Sequence, residues 1–145
     1  MSQRPRIDFI DEPAPEHIEA VAGILGQAAE QQHPGANYRE YGFLLRNDGG
    51  GIVGGLTGYV LYDWMFVQFI SVAEELRGQG LGEALMTQAE AWAREQGLGG
   101  MWLDTFAFQS PDFYRKLGFT EFGTIEDHPA GSRRIFFQKR FSPLA

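Results

Sequence analysis

At 145 residues, with a formal charge of −7 and no cysteine, the chain is sized for one domain (1–145), has no disulfide framework and offers no thiol nucleophile. The acidic balance argues against a broad phosphate-tracking surface, hence against a nucleic-acid partner, and suits a cationic acceptor such as an amine. Apolar residues at 43% and charged residues at 21% are ordinary globular values, which set aside the disordered and fibrous classes.

The first residues, Met1 to Arg6, lead into an apolar piece broken by Asp8. No signal peptide or spanning helix is expected, so the expected location is cytoplasmic, with no membrane partner. Ile7 to Ile10 reads as a short first edge strand, closed by Asp11, Glu12, Pro13 and Pro15. Ile18, Val21, Leu25 and Ala28/Ala29 recur at three- and four-residue steps, which predicts an amphipathic helix over Glu16 to Gln32, ended by His33, Pro34 and Gly35. His17 and His33 are expected to face solvent.

Tyr38 to Arg46 reads as a strand, Asn47 to Gly51 as a hairpin turn, and Ile52 to Tyr62 as the returning strand. No helix follows that glycine-rich turn, so it is structural rather than a phosphate loop. Gly54, Gly55 and Gly58 within the strand predict bulges or a close backbone neighbour. Trp64 to Val72 is almost continuously apolar, the pattern of a central strand buried on both faces. After Ala73 to Leu76 a helix begins, with Leu81, Ala84/Leu85, Ala89 and Trp92/Ala93 on one stripe and Gly97 as its stop.

Met101 to Phe106 is the next strand, parallel to the central one because a helix separates them. Ser110 and Pro111 suit the N-cap and first position of a short helix. Phe119 to Ile125 and Ser132 to Phe141 then read as a closing antiparallel pair.

Between the central strand and the long helix stand Arg77, Gly78, Gln79, Gly80, Leu81 and Gly82. Alternate glycines leave the backbone bare, and several N–H groups can point into one concavity where the opening helix adds its own unpaired donors. That is an anion cradle. A Rossmann turn would need glycine where Glu83 stands, and a P-loop would need a terminal Gly-Lys-Ser/Thr that is missing. Arg-x-x-Gly-x-Gly resembles instead the pyrophosphate-binding signature of the GNAT superfamily of N-acetyltransferases. Downstream, Phe113-Tyr114-Arg115-Lys116-Leu117-Gly118-Phe119 resembles that superfamily's second element, (F/L)Y-x-x-x-GF, in the right order and spacing. The likeness covers residues 40 to 123 well and looks like a subgroup of uncharacterised bacterial acetyltransferases.

The resemblance implies an α+β fold: a central mixed, mostly antiparallel sheet with a splayed parallel pair and flanking helices. It implies acetyl-CoA as cosubstrate, with its pantetheine arm against the backbone of Ile70, Ser71 and Val72 by strand addition. A backbone N–H there would also stabilise the oxyanion of the tetrahedral state. Tyr114 matches the position whose phenol lies near the thioester sulfur, where it would assist the departing thiolate by hydrogen bonding more than by full transfer. Many members carry an asparagine seven residues before that tyrosine; here Ala107 stands there, and Gln109 from the same loop is its expected replacement.

Asp104 is the leading candidate for a base and Asp63 a weaker one, with a water chain as the alternative to either. Glu74 and Glu75 are expected in a solvated loop. The three histidines have no metal spacing, so no metal is expected, and no Gly-x-Ser-x-Gly elbow marks a hydrolase. The expected reaction is acetyl transfer to a primary amine of a small molecule by direct attack in a ternary complex. A peptide or protein acetyltransferase and a non-catalytic CoA-binding module stay open, as does a homodimer. His33 to Tyr41 and Asp127 to Ser132 are the variable segments expected to shape the acceptor pocket.

Overall fold

The computed structural model describes residues 3–141. The chain divides into two compact units, residues 1–36 and 37–145. The first holds helix α1, Pro15–Gln32, which opens with proline at its first position and closes at His33, whose N–H reaches the Ala29 carbonyl at 2.7 Å. His17 does more than face solvent, because its Nδ1 accepts the Ala14 N–H at 3.1 Å and so satisfies a donor at the helix start. No residue of α1 is buried.

The strand expected at Ile7 to Ile10 is not formed; the segment is irregular, with Ile7 95% and Phe9 90% exposed. Alternation over four residues supplies apolar side chains, but a strand also needs a ladder partner. The first strand of the sheet is therefore the one starting at Arg39.

The second unit runs β1 (Arg39–Arg46), β2 (Ile52–Leu61), β3 (Trp64–Val72), a 3-10 turn (Glu74–Leu76), α2 (Leu81–Glu95), β4 (Gly100–Phe106), α3 (Pro111–Lys116), β5 (Thr120–Glu126) and β6 (Arg133–Arg140). These strands form one six-stranded sheet in the order β1-β2-β3-β4-β6-β5. Only β3 and β4 pair in parallel, as the intervening α2 requires. The β1–β2 turn is closed by Asn47, whose Oδ1 accepts the Gly51 N–H at 2.8 Å. β6 enters between β4 and β5, so the closing pair is also the continuation of the sheet.

The core lies between α2 and one sheet face. Leu85, Met86, Ala89 and Ala93 of α2 meet Leu56, Met65, Val67, Met101, Leu103, Ile135 and Phe137. Met86 was absent from the expected stripe, and Ala84, expected on it, is exposed. Gly97 ends α2 with a left-handed φ of 75°. Ser110 occupies the N-cap position of α3 but makes no side-chain cap hydrogen bond.

The central strand differs from expectation in its second half. Met65 and Val67 are buried, whereas Gln68, Phe69 and Ser71 are exposed. Its ladder with β4 explains the change, because it holds only the pairs Trp64↔Gly100, Met65↔Met101 and Phe66↔Trp102. Beyond Phe66 the two strands part.

Candidate functional site

The parting of β3 and β4 is built on its other side as well. β3 carries a bulge against β2: Thr57 pairs with Phe69 and Gly58 with Val67, which leaves Gln68 as the extra residue. A Cβ on Gly58 would lie 1.9 Å from the Phe66 carbonyl oxygen, so only glycine lets that carbonyl approach. The Tyr41 hydroxyl donates to the same oxygen at 2.8 Å. Burial pushes the Tyr41 phenol well above its usual range, so it stays a donor.

Past this point, Ile70, Ser71 and Val72 line two adjoining cavities together with Arg77, Ser110 and Tyr114. The first, about 440 Å³, continues past Leu76, Gly78, Gly80, Leu81 and Gly82 to Phe113. Gly78 and Gly80 have φ of 81° and 76°, the left-handed region open to glycine, and a Cβ at either would meet no atom within 4 Å. Gly80 is the N-cap of α2 and supplies no side-chain oxygen, so the first N–H groups of a 15-residue helix are left for an anion. These positions fit a pyrophosphate. Gln79, between the two glycines, is exposed and outside both linings. Arg77 folds back, its Nε donating to the Val72 carbonyl at 3.0 Å, which ties the cradle to the end of β3.

The second cavity, about 540 Å³, adds Gln68, Phe69, Asp104, Thr105 and Gln109. Asp104 is held by Arg134, whose Nε and Nη2 both reach Oδ1, at 2.8 and 2.7 Å. This grip on one oxygen leaves the acceptor capacity of Oδ2. Gln109 turns its carbonyl onto its own loop, where Oε1 accepts the Thr105 hydroxyl at 2.9 Å and the Phe106 N–H at 3.0 Å. Any contact it makes with a cofactor arm must therefore come from its amide nitrogen. Ala107 uses its backbone N–H on Arg133 and contributes no polar side chain.

Tyr114 stands between the two cavities, on α3, its ring packed against Phe113, Phe119 and Phe137. Burial raises its phenol above the ordinary value, and the negative charge of Asp104 raises it further. The group is thus neutral and donor-competent throughout the physiological range. Proton transfer from it to a thiolate of ordinary basicity is uphill by more than about 1.5 pH units, which favours a hydrogen-bonding role.

Asp63 lies in the β2–β3 turn, exposed, its carbonyl accepting the Gly99 N–H, and Glu74 and Glu75 are exposed as expected. Neither Asp63 nor these glutamates line the cavities. Sequence reading missed Arg134, Ser110 and Phe69. Arg134 becomes visible only once β6 is known to pair with β4, in the register Asp104↔Phe136 that sets Arg134 diagonally beside Asp104. Among the described residues there is no cluster of three His, Asp or Glu that could hold a metal, and no helix long and apolar enough to cross a membrane.

Residues 8–119 match the model of the acetyltransferase (GNAT) family. The chain belongs to that family. It is an acetyl-CoA-dependent acetyltransferase, and curated relatives agree. An acetyltransferase of Agrobacterium fabrum is 34% identical over 103 residues, 71% of this chain and 75% of its own. Blasticidin-S acetyltransferase of Streptomyces morookaense is 32% identical over 132 residues, 90% of this chain and 93% of its own. A crystal structure from Agrobacterium tumefaciens superposes with a TM-score of 0.90 at 28% identity, covering 94% of this chain and all of that one. The GNAT fold is thus shared.

Proposed function

We propose that this GNAT enzyme moves an acetyl group from acetyl-CoA to a primary amine of a small molecule, by direct attack while both are bound, and acts as one cytoplasmic acetyltransferase domain. The observation that carries the reading is the pair of adjoining cavities that share Ile70, Ser71, Val72 and Tyr114, one ending in the glycine cradle and the other in a carboxylate. Two substrates entering from opposite sides would meet at the tyrosine.

Acetyl-CoA supplies an acetyl thioester: the amine nitrogen bonds to its carbonyl carbon, the C–S bond breaks, the nitrogen loses a proton and the sulfur gains one. In this reading Gly78, Gly80, Leu81 and Gly82 receive the pyrophosphate with Arg77 beside them, and the open backbone of Ile70 to Val72 takes the amide-bearing arm. Gln109 offers its amide nitrogen to that arm. Tyr114 donates a hydrogen bond to the departing sulfur. Asp104 draws the cationic amine into the second cavity and accepts from it through Oδ2, while water carries the proton away.

Support for a small acceptor is the size of that cavity, about 540 Å³, which suits a compact molecule better than a chain segment. The relative from Streptomyces morookaense bears the name of such a molecule, blasticidin-S. The test is a thiol-release screen against amines, antibiotics and short peptides; with no cysteine in the chain, only released CoA reacts with the thiol reagent. Turnover with small amines and none with peptides is expected. Tight acetyl-CoA binding without release from any amine would favour a binding module instead.

A further inference from the structure

Strand β6 turns Ile135, Phe137 and Lys139 to the same face, and the first two are fully buried in the core under α2. A lysine that continues such a row must be paired, because a charge turned toward apolar surroundings is otherwise costly. Its side chain is 23% exposed, and its ammonium has two partners. Nζ donates to Glu90 Oε1 of α2 at 2.6 Å and to the carbonyl of Leu117, the C-cap of α3, at 2.8 Å. The lysine stem passes Gly118, where a Cβ would lie 3.3 Å from Cε. Glu90 is held from its other oxygen as well, since Arg94 Nε donates to Oε2 at 3.1 Å. Burial pushes the Glu90 carboxyl up, but Lys139 and Arg94 outweigh it and hold the group below its usual range, so it stays charged.

Lys139 thus ties β6 and α2 to the C-terminal end of α3, the helix that carries Tyr114. That helix has only six residues, and its N-cap, Ser110, makes no side-chain cap hydrogen bond. Its other ion pair to the sheet, Arg115 with Glu121 at 3.3 Å, is partly exposed on both sides and of little weight. A cavity of about 320 Å³ is lined by Met86, Glu90, Arg94, Leu117, Phe119 and Lys139, so packing alone leaves this end of α3 room to move. Leu117 and Phe119 both donate their N–H groups to the Tyr114 carbonyl, each at 3.1 Å. A displacement at Leu117 is therefore passed directly to Tyr114.

We propose that Lys139, aimed by Glu90, is a positioning residue for acetyl transfer: by holding the end of α3 it sets the Tyr114 phenol at the junction of the two cavities. The inference rests on the role proposed above for Tyr114. Lys139 lines neither cavity, so it does no chemistry itself. A part-buried ion pair adds little stability over apolar side chains of similar volume, so what this one contributes is placement.

The test is a double-mutant cycle. Lys139→Met keeps the stem and removes the ammonium, while Glu90 retains Arg94 and is not left unpaired. Steady-state thiol release, with an amine that turns over, is measured for the wild type, Lys139→Met, Tyr114→Phe and the double variant, each folded by circular dichroism. In Lys139→Met, kcat should fall about ten-fold with KM for acetyl-CoA within about two-fold, as expected for a donor misplaced by a fraction of an ångström. In the Tyr114→Phe background the same substitution should change kcat by less than about two-fold, because no hydroxyl remains to be misplaced. A merely structural effect would act equally in both backgrounds. An equal loss in both, or full kcat in Lys139→Met, overturns the proposal and leaves the role of Tyr114 standing if Tyr114→Phe is slow; full kcat in Tyr114→Phe overturns the role and the proposal together. Should Lys139→Met not fold, Glu90→Gln keeps the shape and loses the charge that aims the lysine. Through the same cycle it should cost about three-fold or more, only where Tyr114 is present, and full kcat there overturns the proposal.

Discussion

Replacing Tyr114 by phenylalanine removes one oxygen and leaves the ring. That ring fills a buried site against Phe113, Phe119 and Phe137, so the variant should fold normally and keep the wall between the two cavities. What is lost is a donor. Burial and the charge of Asp104 both hold the phenol protonated, so in the proposed role the wild-type enzyme offers its O–H to the sulfur. A hydrogen bond to a group developing negative charge contributes about 1.5–3 kcal/mol, which converts to about 10- to 150-fold in kcat. KM for acetyl-CoA should stay within about two-fold, because the bond strengthens only as the thiolate forms. Steady-state thiol release, with a pre-steady-state burst experiment to establish that chemistry limits the rate, measures both. The raised phenol also means that the wild-type rate should show no Tyr114 titration until the pH passes about 10. Full kcat in the phenylalanine variant with chemistry rate-limiting, or an alkaline limb near neutrality that the variant abolishes, would refute the role.

Gly80→Asp should abolish acetyl-CoA binding in calorimetry while the secondary structure is retained, since it sets a side chain and a negative charge at the left-handed N-cap of α2. Arg77→Ala should weaken binding by about 1–3 kcal/mol; unchanged affinity in both variants would remove the cradle from the site. Gly58→Ala should cost about 3 kcal/mol or more in urea unfolding, because the new Cβ would fall 1.9 Å from the Phe66 oxygen and 2.8 Å from the Tyr41 hydroxyl, and a loss under 1 kcal/mol would show that β2 can shift there at little cost. Alkaline stability should fall above pH 10. The buried phenols of Tyr41 and Tyr114 hold their protons where the unfolded chain releases them, so their contribution is whole below pH 10 and is lost as pH climbs toward the folded values. The slope is about 1.4 kcal/mol per pH unit for each tyrosine; Tyr41→Phe should reduce it by that amount, and an unchanged slope would contradict the burial argument.

The fold was legible where local chemistry and tertiary demand coincide. Gly97, Asn47 and the Pro111 helix start mark turns and ends through backbone geometry alone, and the structure places them as read. The glycines of β2 read as bulge or close approach; Gly58 is a close approach, beside a bulge whose extra residue, Gln68, lies on β3. Ile7 to Ile10 misled because a strand is a property of pairs, and nothing in four residues states which edge they would join. β6 between β4 and β5 was invisible for the same reason: an antiparallel pair read in sequence does not say which member continues the sheet.

The site divides along that line too. The cradle was legible because an anion seat needs residues that are adjacent in the chain, so the glycines at 78, 80 and 82 carry the whole signal. Asp104 was only a candidate, since its meaning depends on Arg134, thirty residues away, and on Tyr114 across the gap. The gap itself was hidden in an apolar run. Trp64 to Val72 reads as one uniformly buried strand, yet its backbone works in two halves, divided at Phe66. Before Phe66 the strand has ladder partners on both sides and its side chains fill the core and the open face. After Phe66 the partner on the β4 side is gone, and Gln68, Phe69 and Ser71 stand at the surface. An unpaired ladder edge at the surface turns its N–H and C=O groups to water or to a ligand. In the proposed reading an amide-bearing substrate arm takes that place, so the interruption of the strand, rather than any one side chain, is what would make this sheet a binding site.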